Sequence, residues 1–403
     1  MSTPAPSRRS GRLRRWSVRI GAVLVLGLVA LLIITRPEQH PTPKPRSKED
    51  AMQAIIYREY GDPGVLHLEP VAKPVPVEGK VLIEVHAAAA NPLDWHYLHG
   101  TPYVMRLGSG WTRPADERVG VDVAGRVVAV GPGVTRFKAG DEVFGTSPGS
   151  FAEYSVGSER RLALKPPALT YEQAAAVPVA AITALQGLRD KGAVKPGQRV
   201  LINGASGGVG TFAVQIAKVL GAHVTGVCST RNLALVRSLG ADAVVDYTRE
   251  DFTRGENKYD IVLDLVGNRG LSDVRRILTP TGIYVLIGGG GPNDGRIIGP
   301  FAKVIGAAAY SAMYDQSYSM MLADITPHDL ELIGGWIASG RVRSVIDRRY
   351  PLSEAPDALR YLETGRARGK VIVVVRPDDE AVRALATAAA TTSPAPASPT
   401  PGT

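Results

Sequence analysis

Residues 199–220 read RVLINGASGGVGTFAVQIAKVL: a short apolar run, a glycine-rich turn and an apolar stretch of helical length. Ala205, Gly207 and Gly210 stand at the spacing A-x-G-x-x-G, a form of the dinucleotide-binding fingerprint. The first position permits the tight turn, the second lets the backbone approach a pyrophosphate, and the third lets the helix close on the strand. Ser206, Gly208 and Val209 complete a turn whose N–H groups, at the positive end of a helix, would hold the phosphates. Any tight strand-to-helix turn favours glycine, so the pattern draws its weight from its context.

The next apolar run, residues 224–227, leads into Cys228-Ser229-Thr230-Arg231, about twenty residues after the fingerprint. An NAD enzyme would place a carboxylate there for the ribose 2′-hydroxyl. Two hydroxyls and a guanidinium stand there instead, which suits a 2′-phosphate. The residues therefore predict NADPH, with Ser229, Thr230 and Arg231 at its phosphate; the plainer reading makes Arg231 a solvated first-turn residue of the next helix. The stretch 204–208 also satisfies G-x-S-x-G, the nucleophile elbow of α/β-hydrolases, and Asp264 and His328 downstream complete the order Ser206, Asp, His. Neither downstream residue lies in a recognisable motif, and a triad is defined by geometry rather than order, so hydrolysis is the weaker reading.

The elements that must position these residues fall into two kinds. Between 52 and 177 the strand signals are short and broken by Gly and Pro, as at 81–85, 119–130 and 142–144, which predicts a small barrel-like β domain. From 200 onward, apolar runs at 200–202, 224–227, 243–245, 261–266 and 283–287 alternate with helix-length connections, the pattern of a parallel sheet covered on both faces. Residues 329–339 read as an amphipathic helix and 370–375 as one more buried strand. The chain's 403 residues, 44% hydrophobic, exceed what one core usually serves.

The net charge of +9 comes entirely from residues 1–48, which hold ten Lys/Arg against one Glu, so the body is balanced and a nucleic-acid partner is not expected. The uncharged run 20–35 (IGAVLVLGLVALLIIT), flanked by arginines, reads as an N-terminal single-pass membrane anchor, and therefore as a membrane localisation, with a cleaved secretory signal peptide as the rival reading. A proline-rich spacer follows at 37–50, and the Ala/Thr/Ser/Pro sequence at the far end reads as a disordered tail. The single cysteine, Cys228, excludes an intrachain disulfide, a Cys-rich zinc site and an iron–sulfur cluster.

Several further segments, in order, carry a resemblance spanning roughly 52–376. Residues 90–94 (ANPLD) resemble the N-P-x-D segment of zinc-independent quinone oxidoreductases, 120–125 (GVDVAG) their G-x-D-x-A-G turn, and 137–143 (FKAGDEV) their F-K-x-G-D-x-V. Residues 180–184 (AAITA) and 239–242 (LGAD) resemble the same family's helix into the nucleotide domain and the step after its second helix. The chain is thus identified as similar to the quinone oxidoreductase branch of the medium-chain dehydrogenase/reductase family, nearest its reticulon-4-interacting-protein-like members.

The resemblance implies an α/β fold in which a doubly wound Rossmann sheet (179–324) is inserted into a GroES-like β-barrel substrate domain (51–178 plus 325–376), with 1–50 and 377–403 outside both. It places the nicotinamide against Asn91, Asp94 and Thr183 as catalytic residues, Tyr247 beside Ser229 and Arg231 at the 2′-phosphate, and Val266 and Gly288 on the nicotinamide ribose side. The bland reading of Asn91-Pro92 is a turn. The zinc branch needs cysteines that are missing, and His96 with His99 offers only two ligands, so a metal-free site is expected. Hydride transfer from NADPH to a quinone or α,β-unsaturated carbonyl follows, since a conjugated acceptor needs orientation more than a Lewis acid. An NADPH-binding membrane sensor or scaffold is the alternative. A homodimer would be usual for the family.

Overall fold

The computed structural model describes residues 41–288, 310 and 313–377. In its first half, β1 (Ala51–Ile56) pairs with β2 (His67–Ala72). There follow β3 (Lys80–Ala90), β4 (Asp122–Val130), β5 (Glu142–Thr146), β6 (Tyr154–Ser158) and β7 (Leu162–Leu164). The second half brings β8 (Arg199–Asn203), β9 (His223–Cys228), β10 (Ala243–Asp246), β11 (Tyr259–Asp264), β12 (Leu278–Leu286) and β13 (Ser317–Met320). The chain then returns to the first half with β14 (Ile346–Pro351) and β15 (Lys370–Val374).

The first sheet has the order β14-β15-β3-β4-β5-β7, with β6 also on β3. β3 is eleven residues long, well beyond the apolar run 81–85 that marks it in the sequence. Its second half, Ala87 to Ala90, has little strand propensity of its own. Pairing with β4 and β15 holds it extended. Its alanines alternate between two cores, Ala87 and Ala89 in one and Ala88 and Ala90 in the other, as the two-residue strand period requires. Their small side chains let α2 (Tyr171–Ala175) and α3 (Pro178–Gln186) join the first of these cores.

The second sheet is wholly parallel, in the order β10-β9-β8-β11-β12-β13. Numbered from β8, this is 3-2-1-4-5-6, the doubly wound arrangement whose ligand crevice opens where the order reverses, at the carboxyl ends of the first and fourth strands. Burial on both faces explains the continuous apolar runs: Val200 and Ile202 enter one core, Leu201 another. β13 (SYSM) is short and mostly polar, has no signature in sequence, and is defined by its pairing with β12. The remaining helices used below are α1 (Pro92–His99), α4 (Gly208–Val219), α5 (Leu233–Ser238), α6 (Leu271–Ile277), α7 (Pro327–Ala338) and α8 (Ala355–Glu363). Residues 42–50, read as a spacer, are hydrogen-bonded to the body: the Pro43 carbonyl accepts from Ala72 N–H and the Asp50 carbonyl from Lys73 N–H.

The expected membrane anchor and single-pass localisation are corrected. Among the described residues no helix is long and apolar enough to cross a membrane. The longest, α4 and α7, have twelve residues, about 18 Å against a hydrocarbon core of roughly 30 Å. The apolar run 20–35, like the tail beyond 377, lies outside the described residues. Neither the membrane partner nor the membrane localisation is retained.

Candidate active site

β8 delivers the chain into the fingerprint turn, where Gly204 takes φ +85°, a left-handed value that favours glycine. Gly207 then caps α4 with extended backbone. The two later glycines serve different needs. A Cβ on Gly210 would sit 2.1 Å from the Gly204 carbonyl oxygen and 2.7 Å from Ala205 carbonyl carbon, so the fold itself demands glycine there. A Cβ on Gly207 would meet nothing nearer than 3.5 Å. The protein leaves that space open at the N-terminus of α4, whose first N–H groups have no partner within the helix. The turn fits a pyrophosphate.

At the end of β9, Asn232 draws two predicted residues together: its amide donates to Ser206 Oγ at 2.9 Å and to Ser229 Oγ at 3.3 Å. Sequence reading passed over Asn232, whose buried Oδ1 has no partner among the described residues. Arg231 is exposed and places one N–H on the Arg366 carbonyl at 2.7 Å, which brings the segment before β15 to this corner. Thr230 is turned elsewhere, with its hydroxyl on Asp246 Oδ2 at 2.5 Å. Asp246 also accepts from the Thr248 hydroxyl and N–H, at 2.7 and 3.0 Å, and these hydroxyls hold its carboxyl below the ordinary range. Tyr247 is half-exposed beside it. Val266 lies over Gly204, and Gly288 allows the end of β12 to approach Leu265, whose carbonyl oxygen a Cβ would meet at 1.9 Å.

The other side of the site is a buried polar cluster. Asn91, 2% exposed, precedes α1, and its backbone N–H donates to Asp94 Oδ2 at 2.7 Å, half of a helix-capping exchange. Its side chain does not cap the helix. The amide donates to the Ala89 carbonyl and to Asp122 Oδ2, each at 3.0 Å, and Oδ1 accepts from Lys370 Nζ at 2.6 Å. Lys370 Nζ also donates to Asp122 Oδ2 at 3.0 Å, a salt bridge with both side chains at most 3% exposed. The other Asp122 oxygen accepts from Val179 N–H at the start of α3, where a helix favours negative charge. α3 carries Thr183, which is nearly buried. The methylene stem of Lys370 runs past Gly208, 3.2 Å from where a Cβ would stand, so one side chain links the fingerprint turn to Asn91. Sequence reading took Lys370 only as the start of a buried strand. A charged residue opening the run KVIVVV was the signal available.

Asp94 is buried on the wall of a cleft of about 680 Å³, together with Leu93 and Tyr97 of α1, Tyr57 after β1, and Thr146 and Ser147. Burial, reinforced by the nearby charge of Asp122, pushes its carboxyl up to about 7 despite the bond from Asn91 N–H. Asn91, Thr183 and the fingerprint residues do not line this cleft. The hydrolase arrangement is not assembled: Asp264 is occupied by Asn203, Tyr284 and the N–H groups of Val266 and Gly267, and Ser206 pairs with Asn232. His96 and His99 turn to the Thr101 carbonyl and the Glu363 carboxylate. Cys228 is buried at the end of β9.

Comparison with known proteins bears on the same regions. Residues 77–167 match the alcohol dehydrogenase GroES-like domain and residues 239–373 the zinc-binding dehydrogenase family. The chain is 38% identical over 339 residues to 2-methylene-furan-3-one reductase of Solanum lycopersicum, covering 80% of this chain and 79% of that one. It is 32% identical over 374 residues to mouse (Mus musculus) mitochondrial NAD(P)H oxidoreductase RTN4IP1, covering 85% and 94%. The solved quinone oxidoreductase of Coxiella burnetii superposes with a TM-score of 0.71 at 33% identity, over 81% of this chain and all of that one.

Proposed function

The chain belongs to the medium-chain dehydrogenase/reductase family, in its zinc-independent quinone oxidoreductase branch, and from that premise we propose that it reduces conjugated carbonyl compounds with NADPH. It is an NAD(P)H-dependent oxidoreductase whose reaction is hydride transfer to a quinone or an α,β-unsaturated carbonyl. The preference for NADPH rests on one observation: the corner after β9 offers the Ser229 hydroxyl and the exposed Arg231 guanidinium, while the Asp246 carboxylate beside it is buried and engaged by Thr230 and Thr248. A guanidinium is suited to a phosphate, whereas a ribose 2′-hydroxyl is held by a free carboxylate.

When bound, the cofactor supplies a hydride from its nicotinamide ring. The chain's part is to bind and orient. Ala205, Ser206, Gly207, Gly208, Val209 and Gly210 form the pyrophosphate cradle; Ser229, Arg231 and Tyr247 face the 2′-phosphate, with Thr230 bracing Asp246 behind them. Val266 and Gly288 border the nicotinamide ribose. Asn91, locked by Lys370 and Asp122, and Thr183 on α3 orient the ring, and Asp94 borders the acceptor cleft. We divide the chain accordingly into a substrate part (51–178 and 325–376) and a nucleotide part (179–324).

The test follows NADPH and NADH absorbance with a panel of quinones and enones, using the full protein and R231Q. NADPH should outpace NADH, and R231Q should lose about 10- to 100-fold of that preference, the worth of one charge-assisted hydrogen bond. Tight NADPH binding without turnover of any acceptor would overturn the reductase reading; equal use of both cofactors would overturn the NADPH assignment.

A further inference from the structure

Tyr57 follows β1 and is 5% exposed. Its ring packs in the core with Ile55, Leu66, Leu98 and Val119, and its backbone N–H donates to the Glu117 carbonyl at 2.9 Å. A buried tyrosine normally satisfies its hydroxyl. Neighbouring Tyr60 does so, on the Ser109 carbonyl at 3.0 Å. The Tyr57 hydroxyl has no hydrogen-bond partner among the described residues; Tyr57 lines the 680 Å³ cleft with Asp94, Tyr97 and Asp116, and its phenol lies close enough to these three to feel their charge. The core fixes the ring, so the hydroxyl is a preorganised group left for something in the cleft. Burial, with the nearby Tyr60 hydroxyl and Asp116 carboxylate, pushes the phenol above its ordinary range, so it keeps its proton and acts as a donor.

We propose that the Tyr57 hydroxyl donates the hydrogen bond that seats and polarises the carbonyl oxygen of the conjugated acceptor; this rests on the reductase reading above. For an enone, hydride addition at the β-carbon breaks the carbon–carbon π bond and moves electron density onto the carbonyl oxygen, giving an enolate. Tyr57 holds that oxygen as its charge develops, where a fixed donor is worth most. A proton from water then adds at the α-carbon and restores the carbonyl.

The test is Y57F, with two readouts. In turnover with 2-cyclohexenone and NADPH, kcat/KM should fall about 10- to 100-fold while the Kd for NADPH stays within about twofold. In equilibrium binding of 2-cyclohexenone to the enzyme loaded with NADP+, read by tryptophan fluorescence without turnover, affinity should fall by about 3- to 10-fold. The Tm should not drop, because the hydroxyl has no partner in the protein to lose. A Y57F enzyme that keeps both kcat/KM and acceptor affinity overturns the proposal. If the wild-type protein binds the enone but does not turn it over, the reductase reading fails by itself, and the binding comparison still decides the role of Tyr57.

Discussion

The two sides of the site are built on different plans. On the nucleotide side the proposed pyrophosphate cradle lies in one unbroken stretch, from Asn203 to Gly210, and would work through backbone N–H groups and the absence of side chains. The other side collects Asn91, Asp122, Val179 and Lys370 from segments up to 279 residues apart, and is held by buried charge. A site made of backbone tolerates variation at its neighbours but not at its glycines. A site made of buried charge depends on every partner, because removing one leaves another unpaired in a place water does not reach.

The sharpest way to break this comparison is K370M. It strands Asp122 without its cation, and the loss of one member of a buried pair should cost about 3–5 kcal/mol, read as a shift in the urea midpoint. A loss below about 1 kcal/mol would mean that the pair is not effectively buried and that the Asn91 side is held as locally as the nucleotide side.

The nucleotide side is tested by its two glycines. G210A places a methyl against two backbone atoms and should destabilise the fold by about 1–3 kcal/mol. G207A has room in the protein itself, so its stability should be nearly unchanged while NADPH affinity falls about tenfold or more. Equal stability losses would show that both glycines serve the fold, and would remove the argument that Gly207 is shaped for a ligand.

The smallest expected effect concerns Asp94. Its folded value of about 7 lies above that of an unfolded aspartate, so the folded protein holds a proton that the unfolded chain has already released. Stability from this group is full below the ordinary carboxylate range and is lost as pH rises through the folded value. Between roughly pH 6 and pH 8 the loss should be about 1 kcal/mol, and D94N should flatten that slope. An unchanged slope in D94N would assign the pH dependence to another group.

How much of this was legible in sequence follows the same division. The parallel sheet was readable from its apolar runs because strands buried on both faces need apolar residues at every position. The fingerprint was readable because the spacing of a turn is a property of adjacent residues. β13 was not readable, since a short polar edge strand is recruited by its neighbour. Nor was the second half of β3, where pairing overrode the weak strand propensity of four alanines. The apolar run 20–35 invited a membrane anchor, and among the described residues no helix can cross a membrane.

By itself the sequence determined the α/β fold with its parallel sheet, which depends on local periodicity, and the family, which rests on the resemblance of several segments in order; the glycine spacing of the fingerprint turn is likewise a property of adjacent residues. Only the tertiary structure decided that Lys370 would lock Asn91 against Asp122, that Asn232 would hold Ser206 beside Ser229, and that Thr230 would be spent on Asp246. The reason is physical: a backbone turn is encoded in adjacent torsion angles, whereas the partner of a buried polar group is whichever complementary group folding brings within about 3 Å of it.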